Sequence, residues 1–297
     1  MPWYVYSILS SLSFVGLYLC IKWLTTKGFA PKQILLFMVG FALIGFLGVS
    51  APYLHGIVNS DKFFSFLGAV TFAGVFSSIG HWADFEAIGR APNPGYATSI
   101  RNASILPVTL LSVIVFDSPF QLIRLVGILL ILIGIMALLI ERKTESKEAE
   151  NGQQVKKSWI PQAFIALTGY TLAVLGMKKA TLLGFAAPEI CLFIYIINFI
   201  FFFVICRKEI KSYFADKIRL KSFLPIVLIC AVFAFTVNLL NIKAISLAPN
   251  PGYHEAIRNT NVLFITLLSI PLFSASITKR HLGGIAGIVA GIIVLVI

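Results

Sequence analysis

Charged residues are scarce in this chain. Only 12% of its 297 residues are Asp, Glu, Lys or Arg, about half of the roughly 25% typical of soluble domains. Hydrophobic residues make up 58%, and the mean hydropathy is +0.92. So few charges cannot cover the surface of a soluble globule, and so much hydrophobicity excludes intrinsic disorder. The composition therefore predicts a polytopic membrane protein.

Cysteines and motifs for enzymatic chemistry are also few. The four cysteines lie in apolar runs without paired metal-ligand spacing, which predicts packing residues rather than a disulfide framework or a zinc site. The chain has no Gly-x-x-x-x-Gly-Lys-Ser/Thr phosphate loop, no His-Glu-x-x-His pair and no Gly-x-Ser-x-Gly elbow. We therefore expect that the protein is not powered directly by ATP hydrolysis, that it is not an enzyme and that it has no cofactor.

Ten apolar runs are long enough to cross a bilayer, which takes about 20 residues. They lie at residues 3–21, 33–54, 64–88, 94–116, 120–140, 159–177, 187–206, 222–246, 251–273 and 281–297. One charged linker, residues 141–158, separates residues 1–140 from residues 159–297, and each part carries five runs. The expected fold class is an all-α membrane bundle of ten transmembrane helices.

The two halves repeat each other. Residues 91–96 and 248–253 both read Ala-Pro-Asn-Pro-Gly-Tyr, and the match continues at an offset of 157 through Phe116 and Phe273. This indicates a duplicated unit. Because five spans is an odd number, the second unit crosses the membrane in the opposite sense to the first. We therefore expect two inverted five-helix repeats, an architecture that supports alternating access.

A polar face follows the repeated turn in each half. In the fourth span it carries Thr98, Arg101, Asn102, Thr109 and Ser112, and in the ninth it carries Glu255, Arg258, Asn259, Thr266 and Ser269. Lipid cannot satisfy such a face, so it must meet the bundle interior or an aqueous cavity. Three interpretations of Arg101 and Arg258 stay open: snorkelling to headgroups, pairing with a buried carboxylate such as Glu255 or Glu86, and binding an anionic substrate group.

The preceding span is polar on one face as well. Ser77, His81 and Asp84 follow helical spacing, and the second half places Asn238 and Asn241 at the positions of His81 and Asp84. Polarity is kept while charge changes, so we expect an asymmetric site on a symmetric scaffold. His81 and Asp84 form either a proton relay or a structural pair.

Lysines and glycines complete the prediction. Lys243 stands opposite Glu86 in the repeat, and with Glu86 or Glu255 it would neutralise a buried cluster. Lys22 and Lys178 lie at span ends and are interpreted as snorkelling anchors. The glycine-rich fifth and tenth spans are assigned to helix packing or dimer formation.

The first half carries Ile105-Leu106-Pro107-Val108, then Asp117, then a glycine-bearing span with Gly127 and Gly134. These features resemble EamA-type ten-span members of the drug/metabolite transporter superfamily. The second half departs from the pattern, with Phe264 and Ser274 in place of the proline and the acid. The resemblance implies a basket of helices with the third, fourth, eighth and ninth spans around a central cavity. Smaller four-span relatives use a first-span glutamate, which this chain lacks.

The expected function is secondary active transport of a small polar metabolite, anionic or zwitterionic, such as an amino acid or an organic acid. Arg101 and Arg258 would bind the acidic group. Neutral hydrogen bonds would come from Asn102, Asn259, Asn238 and Asn241. A coupled proton would be carried by the side chain of Glu255, Asp84 or His81. The alternatives are a promiscuous amine or drug exporter, a lipid flippase and a non-transporting scaffold.

The net charge of +12 is interpreted as a topology signal rather than as nucleic-acid binding. Loops on one side of the ten spans hold seventeen of the 24 Lys and Arg residues, and loops on the other side hold four. The positive-inside rule then places the linker in the cytoplasm and both termini outside, whereas the resemblance implies cytoplasmic termini. We expect a multi-pass protein of the cell (inner) membrane, surrounded by lipid, as a monomer or a homodimer.

Overall fold

The computed structural model describes residues 1–90, 94–139, 159–215, 217–264, 268 and 279–297. Three sequence predictions lie outside these residues. They are the linker 141–158, the start of the first repeated turn at 91–93, and the part of the ninth span that contains Thr266, Ser269 and Pro271.

The described chain is all α-helical apart from turns and one short 3₁₀ segment, Ala51–Tyr53. The helices are α1 (Trp3–Thr26), α2 (Pro31–Ser50), α3 (Leu54–Val58), α4 (Phe63–Arg90), α5 (Pro94–Asn102), α6 (Ile105–Phe116), α7 (Leu122–Leu139), α8 (Trp159–Leu182), α9 (Ala187–Cys206), α10 (Ile210–Ala215), α11 (Lys217–Leu247), α12 (Pro251–Arg258) and α13 (Lys279–Val296). The fold class is confirmed as all-α.

Within the described part of the chain, six helices are long and apolar enough to cross a membrane: α1, α2 with its extension to Val58, α4, α8, α9 and α11. Three further apolar helical stretches are shorter. They are Ile100–Phe116, which covers the end of α5 and all of α6, Leu122–Leu138 and Leu282–Val296. Since a span needs about 20 apolar residues, the chain is a multi-pass membrane protein.

The fourth span is divided into two helices near Pro107, the mid-span proline at which the sequence predicts a kink. α5 ends at Asn102 and α6 begins at Ile105. Pro107 has no N–H to donate to the carbonyl of Ala103, which instead accepts from the N–H of Leu106 at 3.1 Å. The helix therefore tightens to a 3₁₀ turn at this point.

The ninth span breaks at the equivalent place without a proline. α12 ends at Arg258, and the hydroxyl of Thr260 donates to the carbonyl of Ile257 at 2.7 Å. A side-chain hydroxyl bonded to a backbone carbonyl in this way competes with the regular helix. Each break thus comes within two residues of the predicted arginine, and the polar face of the fourth span is divided.

The repeated turn anchors α12 onto α6. The Oδ1 of Asn250 accepts from the N–H of Gly252 at 2.8 Å, which caps the helix, and its Nδ2 donates to the carbonyl of Thr109 at 3.1 Å. A Cβ on Gly252 would lie 2.0 Å from the Oγ1 of Thr109. Thr109 is therefore buried against this turn, whereas the prediction placed it on one polar face with Arg101.

The long helices of the two halves pack in antiparallel pairs. Where α4 meets α8, a Cβ on Gly169 would lie 2.8 Å from the Cα of Gly80, and Gly176 meets Ala73 further along. The residue numbers of the contacting pairs rise along α8 as they fall along α4, so the two helices are antiparallel. α1 and α11 are antiparallel as well, since the Ser10 hydroxyl donates to the carbonyl of Val237 while Gly16 meets Phe233.

α2 pairs with α9, and α7 pairs with α13. The α7–α13 contact is made of glycines: a Cβ on Gly134 would lie 2.6 Å from the carbonyl of Gly284, and Gly127 meets Gly291. These glycines allow the two backbones to touch within one molecule. Helix packing, one of the two roles predicted for them, is confirmed for these glycines.

Lys178 does not extend to headgroups. The side chain is buried, and its ammonium group donates to the carbonyls of Ile245 at 3.0 Å and Ala248 at 3.1 Å. These carbonyls end α11 and lack helical donors, so the lysine caps that helix just before the repeated turn. The snorkelling prediction for Lys178 was wrong because the neighbouring helix end offered closer acceptors.

Candidate functional site

A cavity of about 130 Å³ lies between the two halves. It is bounded by α1, α2, α4, α5, α8, α9, α11 and α12, more helices than the four that the resemblance implied. Eight of the ten predicted site residues line it: His81, Asp84, Arg101, Asn102, Asn238, Asn241, Arg258 and Asn259. The space admits several water molecules or one small solute.

Arg101 is held firmly at this cavity. Its Nη1 lies 2.9 Å from the Oδ2 of Asp84 and donates to the hydroxyl of Tyr18 at 3.0 Å. Its Nε and Nη2 both donate to the Oδ1 of Asn102, at 3.2 and 2.9 Å. Arg101 is only 8% exposed, so it does not snorkel. The predicted partner Glu86 was wrong, since Glu86 pairs with Arg90 at the end of α4.

Arg258 has a looser arrangement. Its Nη2 lies 2.5 Å from the Oε2 of Glu255, one turn earlier in the same helix, and its guanidinium stacks on the ring of Phe14 at 5.3 Å. The cation–π contact adds to the ion pair. Glu255 was one of the two partners predicted for a buried arginine. It lies behind Arg258 and does not line the cavity.

His81 and Asp84 use different partners. The Nδ1 of His81 lies 2.8 Å from the hydroxyl of Tyr170 on α8, whereas Asp84 binds Arg101. Ser77, His81 and Asp84 all reach the cavity, as their spacing predicted. The expected hydrogen-bonded pair of His81 and Asp84 is not formed within the described structure.

Lys243 lies away from the site. α11 directs Asn238 and Asn241 to the cavity, and Lys243 is exposed on another face of that helix. Two residues along a helix correspond to about 200°, so Asn241 and Lys243 point in nearly opposite directions. The prediction that Lys243 neutralises a buried acidic cluster was wrong for this reason.

Sequence reasoning missed a polar group from α9. The Oδ1 of Asn198 accepts from the hydroxyls of Ser77 at 2.9 Å and Ser78 at 2.7 Å. The hydroxyl of Tyr195 accepts from the Nδ2 of Asn238 at 2.8 Å. A single asparagine in an otherwise apolar span was the signal that could have identified Asn198.

His254 was missed as well. It is fully buried, with its Nδ1 2.8 Å from the hydroxyl of Ser7 and its Nε2 bonded to the Oδ1 of Asn241. The repeat places Ala97 at the equivalent position, where it packs in an apolar cluster with Ala163. The exchange of an alanine for a histidine between the two copies was the available signal.

Several buried polar atoms around the cavity have no hydrogen-bond partner within the described residues. The acceptors are Asp84 Oδ1, Glu255 Oε1 and Asn261 Oδ1, and the donors are Asn102 Nδ2 and Arg258 Nε. Buried polar groups are rarely left unpaired, so each points to a missing partner. The site therefore suits a ligand that both donates and accepts hydrogen bonds.

Comparison with known proteins gives the fold and no function. No protein-family model matches the chain, and no curated protein sequence matches it. Among solved structures, 28 chains match. One of them, titled only "Crystal structure of protein", is similar with a TM-score of 0.63 at 15% sequence identity, over 97% of this chain and 95% of that chain. Such a likeness shows a shared fold over nearly the whole chain, and membership of the drug/metabolite transporter superfamily stays a prediction.

Proposed function

We propose that this protein is a secondary active transporter that moves a small zwitterionic solute, such as an amino acid, by alternating access. The observation that carries the proposal is the central cavity, where two arginine–carboxylate pairs and several amides meet inside membrane-spanning helices. Ionisable groups in such a location are costly in a membrane, so they usually serve a substrate or ion pathway.

The helix pairing supports two inverted repeats. α2 and α9 occupy equivalent places in the two halves and run antiparallel, as Phe46 meets Tyr195 while Lys32 pairs with Glu209. α7 and α13 are also equivalent and antiparallel. Exchanging the halves converts the α1–α11 pair into the α8–α4 pair. A two-fold axis in the membrane plane produces this pattern, and two halves that exchange conformations supply outward-open and inward-open states.

Charge balance favours a zwitterion over a simple anion. Asp84 lines the cavity with an Oδ1 that has no hydrogen-bond partner among the described residues, and a simple anion has no cationic group to pair with it. A solute with a carboxylate and an ammonium group brings both charges. Its carboxylate would meet the donors of Asn102 and Arg258, and its ammonium group would meet Asp84 Oδ1.

One observation favours a second candidate, an exporter of amines. The unpartnered acceptor of a cavity-lining carboxylate is Asp84 Oδ1, as far as the described residues show, and a cationic amine would satisfy it without using an arginine. This candidate predicts that substrates need no carboxylate and that Asp84 and Glu255, rather than Arg101 and Arg258, are essential.

The decisive experiment is counterflow of radiolabelled neutral amino acids in reconstituted vesicles. The competitors are amino acid derivatives in which one of the two charged groups is chemically masked. N-acetyl amino acids lack the ammonium group, and amino acid methyl esters lack the carboxylate. If the solute is zwitterionic, neither blocked form competes. If the methyl esters compete as well as the parent compounds, the amine candidate is favoured.

Arg101→Gln and Arg258→Gln are both expected to abolish counterflow, because each removes a charge at the cavity. Arg90→Gln is the matched control, since it removes an arginine that pairs with Glu86 outside the cavity. Unchanged transport by both cavity variants would show that the cavity is not the binding site.

A further inference from the structure

The two arginines of the cavity differ in how tightly they are held. Arg101 uses four of its five N–H donors, on Asp84, Tyr18 and Asn102. Arg258 makes one ion pair and one ring contact, and its Nε has no partner within the described chain. Its side chain is also more exposed, 17% against 10% for Arg101. Arg258 is therefore the guanidinium that is free to turn toward a solute.

Glu255 depends on that guanidinium. The carboxylate is 1% exposed, its Oε2 binds Arg258, and its Oε1 lacks a partner among the residues described. His254 is its next neighbour, with Nε2 at 3.8 Å from Oε1, but both ring nitrogens of His254 already face Ser7 and Asn241. If Arg258 turned away, a buried carboxylate would be left without a hydrogen-bonded cation, which is strongly unfavourable.

The remaining groups around Glu255 do not replace Arg258. Arg101 of α5 also acts electrostatically on Glu255, while Ser7 of α1 and Asn241 of α11 bind the neighbouring His254. Arg101 is already paired with Asp84 of α4. Protonation of the carboxylate is then the available way to remove its charge.

We propose that Glu255 takes up one proton when the carboxylate of the solute draws Arg258 away, so that proton and solute cross the membrane together. This inference rests on the proposed transport function. A proton from water binds Oε1, the O–H bond forms, and the carboxylate becomes a neutral carboxylic acid. On the other side of the membrane the solute leaves, the proton returns to water and Glu255 binds Arg258 again.

Only the second half of the repeat carries this arrangement of a proton-binding carboxylate one turn before an arginine, as far as the described residues show. The position equivalent to Glu255 is Thr98, and Asp84 corresponds to Asn241. The half that contains Arg101 therefore has its carboxylate on a neighbouring helix and not one turn away in the same helix. Because the equivalent position in the first half carries no carboxylate, we expect one proton for each solute.

The capacity of Glu255 to bind a proton can be tested without a substrate. Infrared difference spectra of the reconstituted protein, recorded while the pH is lowered, should contain a carbonyl band from a buried carboxylic acid. The band should be absent from Glu255→Gln, displaced in Glu255→Asp and unchanged in the control Glu209→Gln, which alters an acid outside the cavity. If the band persists in Glu255→Gln, or is missing from the unaltered protein, the proposal is wrong.

The coupling is tested with a pH-sensitive dye inside the vesicles. Addition of a neutral amino acid outside should acidify the lumen with the unaltered protein, and with Glu255→Gln the signal should fall to that of empty vesicles. Amino acid uptake without acidification would overturn the proposal. If the infrared band behaves as expected and no amino acid is transported, the proton site stands and the transport function fails.

Discussion

The guanidinium of Arg101 and the carboxylate of Asp84 lie 2.9 Å apart and join α5 to α4 at the cavity. Both residues are buried, at 8% and 5% exposure. The pair therefore orients the cation and fixes two helices that meet the cavity. Removal of one partner would leave the other charge buried and uncompensated.

We expect Asp84→Asn to lower the free energy of unfolding by about 3–5 kcal/mol, the usual cost of breaking a buried ion pair. The measurement is thermal unfolding of the purified protein in detergent. Glu86→Gln breaks an exposed pair two residues away and should cost about 0–1 kcal/mol. Equal stability of the two variants would contradict a buried structural role for the Arg101–Asp84 pair.

Two adjacent glycines of α13 provide a test of its packing. A Cβ on Gly284 would lie 2.9 Å from the carbonyl of Gly134, whereas a Cβ on Gly283 meets nothing within 4 Å among the described residues. Gly284→Ala should destabilise the protein by about 1–3 kcal/mol, because it forces the α7 and α13 backbones apart. Gly283→Ala should be neutral or slightly stabilising, since alanine favours the helix. Thermal unfolding of both variants checks the prediction.

The repeated turn gives a third prediction. Asn250→Ala removes the cap of α12 and the bond to the carbonyl of Thr109, and should cost about 1–3 kcal/mol. A cysteine introduced at the cavity end of α12 should also react faster with a thiol reagent, since that helix loses an anchor. Asn59→Ala, in an exposed loop, is the control and should leave both measurements unchanged.

A fourth prediction concerns pH outside the spans. Lys32 of α2 and Tyr213 of α10 both donate hydrogen bonds to Glu209, and these bonds, the one from Lys32 first, lower the pKa of Glu209. A lowered pKa adds stability that is present above the unfolded value of about 4.3 and is lost as the pH falls through the folded value.

The unfolding temperature of Glu209→Gln should therefore lie below that of the unaltered protein at neutral pH, and the two should converge in acid. The expected difference is small because the ion pair is exposed. A difference that stays constant from neutral to acidic pH would exclude Glu209 as its source.

Helical periodicity was enough to place many residues on the correct face. The spacing of Ser77, His81 and Asp84 put all three on the cavity, and the repeat then located Asn238 and Asn241. Periodicity did not reveal the helix breaks after Asn102 and Arg258, because a face drawn on one straight helix assumes that the hydrogen-bond pattern continues.

The sequence by itself determined that this is a multi-pass helical membrane protein, because composition and run length depend only on local residues. It also placed both arginines on the polar face of a span, because helical spacing depends only on nearby residues, but it left open whether they snorkel, pair with a carboxylate or bind a solute. Only the tertiary structure decided that Arg101 binds Asp84 and that Lys178 caps α11. Those partners depend on how each helix is rotated against neighbours that are distant in the chain, and no local pattern records that rotation.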